Sequence, residues 1–168
     1  MNDRMKYVRP AVPSDVTHIG WNMRKSDIAE LKAEGLLCTP CTAVLESMEA
    51  SAEAYTALDT RYRATPIAMF GVGSRYSSIL RYTPVWLLAT NDLYREHNVI
   101  PFLRCSRLWM DYFVSRYGDI GNEVHDKHTA SLQWLEWCGF EVVSSHRNLF
   151  TNELFHTMVR YANKKRKE

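Results

Sequence analysis

Hydrophobic positions change their spacing several times along the chain, and each change marks an element. Residues 7–9 open as a short strand. Pro13-Ser14-Asp15 reads as a helix start with Ser14 as N-cap, followed by Val16, Ile19 and Met23 on one face. Ser26 reads as a second N-cap, with Ile28 and Leu31 on the buried side and Gly35 as the stop. Val44, Leu45 and Met48 give residues 42–52 helical spacing. Residues 55–58, 66–72 and 83–90 are strand-like runs with short connections, which predicts an antiparallel meander.

The longest periodic run covers residues 99–117, where Val99, Phe102, Leu103, Trp109, Met110, Phe113 and Val114 recur at helical intervals before Gly118. Residues 120–124 predict a strand and 129–138 a helix, closed by Gly139 in a left-handed conformation with Phe140 as its apolar contact. Residues 140–144 and 154–161 complete the pattern as two strands. This order predicts an α/β (α+β) fold, a mixed and mostly antiparallel twisted sheet with helices on both faces. One domain is expected over residues 1–163, and residues 164–168 form a basic tail.

Composition narrows the class. At 168 residues, with 46% hydrophobic and 24% charged, the chain can bury a sizeable core and is neither a disordered segment nor a disulfide scaffold. No apolar run approaches the roughly 18 residues of a membrane span. The first residues carry no apolar leader, so the expected compartment is a cytoplasm. Four of the 21 basic residues and one of the 19 acidic residues sit in 164–168, which leaves 17 against 18 in the body. That balance offers no surplus for a nucleic-acid groove.

Cysteines stand at 38, 41, 105 and 138. Cys38-Thr39-Pro40-Cys41 follows a predicted helix rather than a strand and has no further closely spaced ligands. It reads as an incidental pair in a loop between helices. Gly71-Val72-Gly73 lacks a third glycine and a following helix, and reads as a hairpin turn. Trp134 and Trp137 read as core.

Two segments resemble the GNAT superfamily of N-acyltransferases. Val8-Arg9-Pro10-Ala11 followed by Ser14-Asp15-Val16 is similar to its first strand and helix. Asn122-Glu123-Val124-His125-Asp126-Lys127-His128-Thr129-Ala130-Ser131-Leu132-Gln133-Trp134-Leu135-Glu136-Trp137-Cys138-Gly139-Phe140-Glu141 is similar to its later strand, loop, helix and Gly-Phe terminator. Arg9-Pro10, Ala33-Glu34-Gly35, Phe102-Leu103-Arg104 and the segment 128–140 resemble the internal virion protein A-like proteins of short-tailed bacteriophages, which look like divergent members of that superfamily.

The resemblance implies a GNAT-like fold and acyl transfer from acetyl-CoA to an amine acceptor, in the host cytoplasm or the virion. The alternative is a catalytically inactive GNAT-fold protein that associates with phage virion proteins or acts in morphogenesis. By resemblance the pantetheine strand is residues 85–90, with Leu88, Ala89 and Thr90 against the acyl donor, and the phosphate loop is 91–100. The family's glycine-rich phosphate loop has no counterpart, since no glycine occurs between Gly73 and Gly118. Arg95, Arg104 and Arg107 either replace it as phosphate partners or form a solvated helix face. The family's acid tyrosine falls near Leu135. His125, Asp126 and His128 are the compact titratable group near the implied channel. His128 is the candidate general base or an exposed neighbour of a helix cap, and Glu123 and Asp92 are further catalytic candidates. His125-x-x-His128 lacks further ligands for a metal.

Overall fold

Alternating side chains in the strands build two cores, one on each face of a seven-stranded sheet. The computed structural model describes residues 7–163; the tail at 164–168 lies outside them. In chain order the elements are β1 (Val8–Pro10), α1 (Pro13–Trp21), α2 (Lys25–Ala33), α3 (Pro40–Glu49), β2 (Ser51–Leu58), β3 (Pro66–Gly73), β4 (Thr83–Ala89), a 3-10 turn (Asn91–Tyr94), α4 (Glu96–Tyr117), β5 (Ile120–His125), α5 (Thr129–Trp137), β6 (Glu141–Arg147) and β7 (Leu154–Arg160). The strand order is β1-β2-β3-β4-β5-β7-β6. Every neighbouring pair is antiparallel except β4 and β5, which run parallel.

On one face Val85 and Ala89 of β4 pack with Trp109, Met110 and Phe113 of α4 and Leu135 of α5. On the other face Leu88 and Met69 pack with Val16 and Ile19 of α1 and Val44 of α3. A Cβ on Gly20 of α1 would lie 2.5 Å from the Cys41 sulfur, so glycine there lets α1 and α3 approach. Among the described residues no helix is long and apolar enough to cross a membrane.

Helix starts differ from the sequence expectation. Val12 and Arg24, rather than Ser14 and Ser26, hold the N-cap positions. Pro13 has the φ that suits the first helical residue, and the Asp15 carboxylate accepts the Val12 N–H at 3.1 Å. Gly71-Val72-Gly73 is the end of β3 and not a turn. A Cβ on Gly71 would stand 2.6 Å from the Glu53 carbonyl oxygen, so a neighbouring strand, not a reversal, demands this glycine. Trp137 is 53% exposed, beneath the Arg107 guanidinium, rather than core. Cys41 lies in the first turn of α3, with Cys38 in the loop before it, and no disulfide joins any of the four cysteines.

Pro101 sits inside α4 and cannot donate to the carbonyl of His97 one turn back. The Thr60 hydroxyl donates to that carbonyl instead, at 2.6 Å. The start of α4 is thereby tied to the loop after β2, which fixes its height above the end of β4.

Candidate active site at the opening between β4 and β5

Parallel pairing of β4 with β5 is limited to Thr83 with Ile120 and Pro84 with Gly121. Beyond these pairs the strands separate, and their backbone groups need other partners. Helix α2 supplies them. Arg24 N–H donates to the Ala89 carbonyl at 2.9 Å. Ala89 N–H in turn donates to Asp27 Oδ2 at 2.8 Å. On the other strand His125 N–H donates to Glu30 Oε1 at 2.7 Å.

Asp27 is the hub of this arrangement and is 1% exposed. Besides Ala89 it accepts from Arg24 Nε at 2.7 Å and lies 2.9 Å from His128 Nε2. The His128 Nδ1 accepts the Ser131 N–H at 3.3 Å as the N-cap of α5. That bond uses the Nδ1 lone pair, so the ring proton sits on Nε2 and is donated to Asp27. His128 is therefore buried, at 3% exposure, and is not a solvated neighbour of the cap.

Burial raises the pKa of Glu30, against the opposing pull of the His125 N–H and of His128 and Arg24. Burial also pushes Glu34, one turn on, up to about 7, helped by repulsion from Glu30 and Glu123. Asp27, Glu30 and His128 bring one ligand atom each within 4.8 Å of one another, a spacing a metal ion could bridge. The positive charge that Asp27 meets there is the Arg24 guanidinium, and the protonated Nε2 has no lone pair to offer a metal. The His125 backbone joins this cluster through Glu30, while its ring Nε2 lies 3.1 Å from Glu153.

Other sequence candidates are spread around the opening. Asp92 pairs with Arg95 at 2.8 Å beside the first turn of α4. Thr90 caps the 3-10 turn by accepting the Asp92 N–H. Leu88 points to the α1 face, away from α4. Glu123, on β5, lies 3.7 Å from His146. Arg104 and Arg107 are exposed further along α4, lining an open groove of ≈ 540 Å³ with Trp137 and Leu103. Leu135, in the slot of the family tyrosine, is buried. The structure brings Ala89 and His128 together through Asp27, groups Thr90, Asp92 and Arg95, and leaves Glu123, Arg104 and Arg107 apart from both sets.

Acidic groups crowd the start of α4. Asp59 is 1% exposed there. Burial alone would raise its pKa, but hydrogen bonds from Asn98, the Tyr62 amide, His97 and the Arg61 amide outweigh it and hold the carboxyl well below the usual range. Between α4 and α5 lies a cavity of ≈ 100 Å³, whose wall includes Arg24, Leu87, Tyr94, Phe102, Ser131 and Trp134. Phe102 and Trp134 stack across it with ring centres 5.6 Å apart.

No family model and no curated protein sequence matches the chain. Solved structures do match its fold. An acetyltransferase of the GNAT family from Bacillus anthracis aligns over 92% of this chain and 93% of its own, at 10% identity and a TM-score of 0.65. Spermidine N-acetyltransferase from Vibrio cholerae, solved with CoA and spermine, aligns over 94% and 95% at 14% identity and a TM-score of 0.66. A GNAT superfamily phosphinothricin acetyltransferase from Sinorhizobium meliloti, solved with AcCoA, aligns over 92% and 86% at 14% identity and a TM-score of 0.64. The chain has the GNAT fold.

Proposed function

We propose that the protein is an N-acyltransferase of phage origin that takes its acyl group from acetyl-CoA and passes it to an amine. The observation that carries this reading is the separation of β4 from β5 beside a cavity between α4 and α5. In the fold neighbours solved with CoA or AcCoA the named ligand is an acyl carrier of this kind. The cavity suits the thioester arm, because its wall is apolar with a few hydrogen-bond donors. The first turn of α4 suits a diphosphate less well, since Asp59, Asp92 and Glu96 already place negative charge there. Arg95, Arg104 and Arg107 are the side chains that would hold the phosphates. Asp92 and Glu123 flank the opening as further carboxylates.

Proton transfer falls to the buried Asp27–His128 pair. His128 carries its proton on Nε2 and spends its Nδ1 lone pair on Ser131, so within the pair the Asp27 carboxylate is the group that accepts the proton of an attacking ammonium. A cationic acceptor would meet Glu30, Glu34 and Glu123 on the α2 side of β5.

Two observations favour a second reading, an inactive GNAT-fold protein of the virion or of morphogenesis. Asp27 occupies the Ala89 N–H, and no glycine-rich loop cradles the phosphates. Calorimetry with acetyl-CoA separates the two. The enzyme reading expects saturable heat, with Arg104→Ala or Arg107→Ala weakening affinity by about tenfold as a charge-assisted contact of about 1.5 kcal/mol is lost. No binding at millimolar acetyl-CoA leaves the second reading.

A further inference from the structure

Arg24 carries more hydrogen-bond donors than the described residues use. A guanidinium has five N–H groups. Nε donates to Asp27 at 2.7 Å and Nη1 to the Tyr94 hydroxyl at 2.8 Å. Three N–H groups are left without a partner among the described residues, in a side chain whose residue is only 5% exposed. None of the Arg24 nitrogens is sealed from solvent without a partner, so its spare N–H groups meet water at the cavity, and a ligand that takes them exchanges with that water.

The surplus has a place to go. Arg24 lines the ≈ 100 Å³ cavity between α4 and α5. Trp134 lines it too, and its indole N–H is buried with no partner among the described residues. Tyr94 and Ser131 add hydroxyls, and the remaining wall is apolar. Such a wall fits a ligand that brings oxygen acceptors on an apolar body. Charge narrows the class further. Asp27 neutralises Arg24 and Glu30 stands close by, so another carboxylate would face two acidic groups while a neutral carbonyl would not.

We propose that the free edge of the Arg24 guanidinium receives the carbonyl oxygen of an acyl thioester in this cavity. This rests on the acyltransferase reading and adds to it a catalytic residue that neither periodicity nor resemblance marks. The end of β4 has one other donor for that oxygen, the Ala89 N–H, and Asp27 holds it. As the amine nitrogen bonds to the carbonyl carbon, the carbonyl π electrons move onto the oxygen facing Arg24. Collapse restores the C=O bond and breaks the C–S bond. The proton shed by the amine ends on the departing thiolate, so amine and thioester give amide and free thiol.

Calorimetry with two probes tests the assignment. Acetyl-CoA carries the carbonyl, whereas S-ethyl-CoA is a thioether of similar size without it. The unaltered protein should bind acetyl-CoA roughly tenfold or more tightly than S-ethyl-CoA. Arg24→Lys keeps a cation beside Asp27 but lacks the second edge, and should bind both probes with the weaker affinity. Equal affinity of the unaltered protein for the two probes overturns the Arg24 assignment and leaves the acyl-CoA reading standing, without need of any variant. A preference that survives in Arg24→Lys overturns it as well. Failure of both probes to bind the unaltered protein removes the acyl-CoA reading itself, and this proposal with it.

Discussion

Replacing Asp27 by Asn tests whether α2 is the element that holds the two strands apart and in place. All three groups facing the Asp27 carboxylate are donors: Arg24 Nε–H, Ala89 N–H and His128 Nε2–H. An Asn side chain has one carbonyl oxygen for them and turns an NH₂ group toward at least one donor. The guanidinium of Arg24 would also lose its counter-charge in a site that is 6% exposed on one side of the pair and 1% on the other. Breaking a buried ion pair from one side costs about 3–5 kcal/mol. That is a large part of the roughly 5–15 kcal/mol by which domains are stable. Asp92→Asn is the internal control, because its pair with Arg95 is 51% and 33% exposed and should be worth at most about 1 kcal/mol. Urea denaturation of the two variants and the unaltered protein, followed by far-UV circular dichroism, reads the difference as shifts in midpoint at constant slope. A loss below about 1 kcal/mol for Asp27→Asn, or equal losses for both variants, would refute the view that this carboxylate pins α2 to the sheet.

Glu34 makes stability depend on pH in a predictable direction. Its carboxyl titrates near 7 in the folded chain and at about 4.3 when unfolded. The folded state thus retains a proton that the unfolded state gives up, and wild-type stability falls as pH rises from about 4.5 to about 7. Glu34→Gln should be more stable than the unaltered protein by on the order of 2–3 kcal/mol at pH 8 and indistinguishable from it at pH 4, as measured by urea midpoints at the two values. Gly121→Ala probes the point where the strands part, since its Cβ would lie 2.7 Å from the ring of Tyr82 and 2.9 Å from the Met158 carbonyl oxygen. Tyr82 is 1% exposed and cannot swing into solvent, so thermal melting should show a loss of roughly 1–3 kcal/mol or more. An unchanged melting temperature would mean that the opening relaxes freely.

Most of the fold can be read from spacing. The apolar residues of α4 recur at helical intervals because that helix buries one face on the sheet, and β3 reads as a continuous apolar run because both of its faces are covered. The parallel direction of the pairing at Pro84 and Gly121 also follows from sequence order, since a long helix between two strands permits a parallel crossover, whereas its restriction to two residue pairs does not. Local chemistry misled at the helix starts. Ser14 and Ser26 have the right residue type, but each is the second residue of its helix, because Val12 and Arg24, whose N–H groups are held by Asp15 and by the Ala89 carbonyl of β4, take the cap positions before them. Gly71 misled for a related reason, because the need for a missing side chain arises from a strand that is distant in sequence.

The candidate site was legible only in halves. His128 and Ala89 lie in segments that a family resemblance can place, whereas Arg24, Asp27 and Glu30 look like the polar side of a short helix. Their spacing of three is a signal of a kind, because it lays three charges along one stripe of α2 beside the apolar stripe of Ile28 and Leu31. A polar stripe is usually solvated, and spacing along one helix cannot reveal that its partners stand 62 and 101 residues away. Burial turns that stripe into chemistry. In water the pairing of Arg24 with Asp27 would be worth little. At the opening between β4 and β5 the same pair fixes the proton of His128, occupies the amide of Ala89, and turns the unused edge of a guanidinium toward an apolar cavity. The fold therefore determines which donors remain for a ligand, and it leaves them on a helix rather than on the strand.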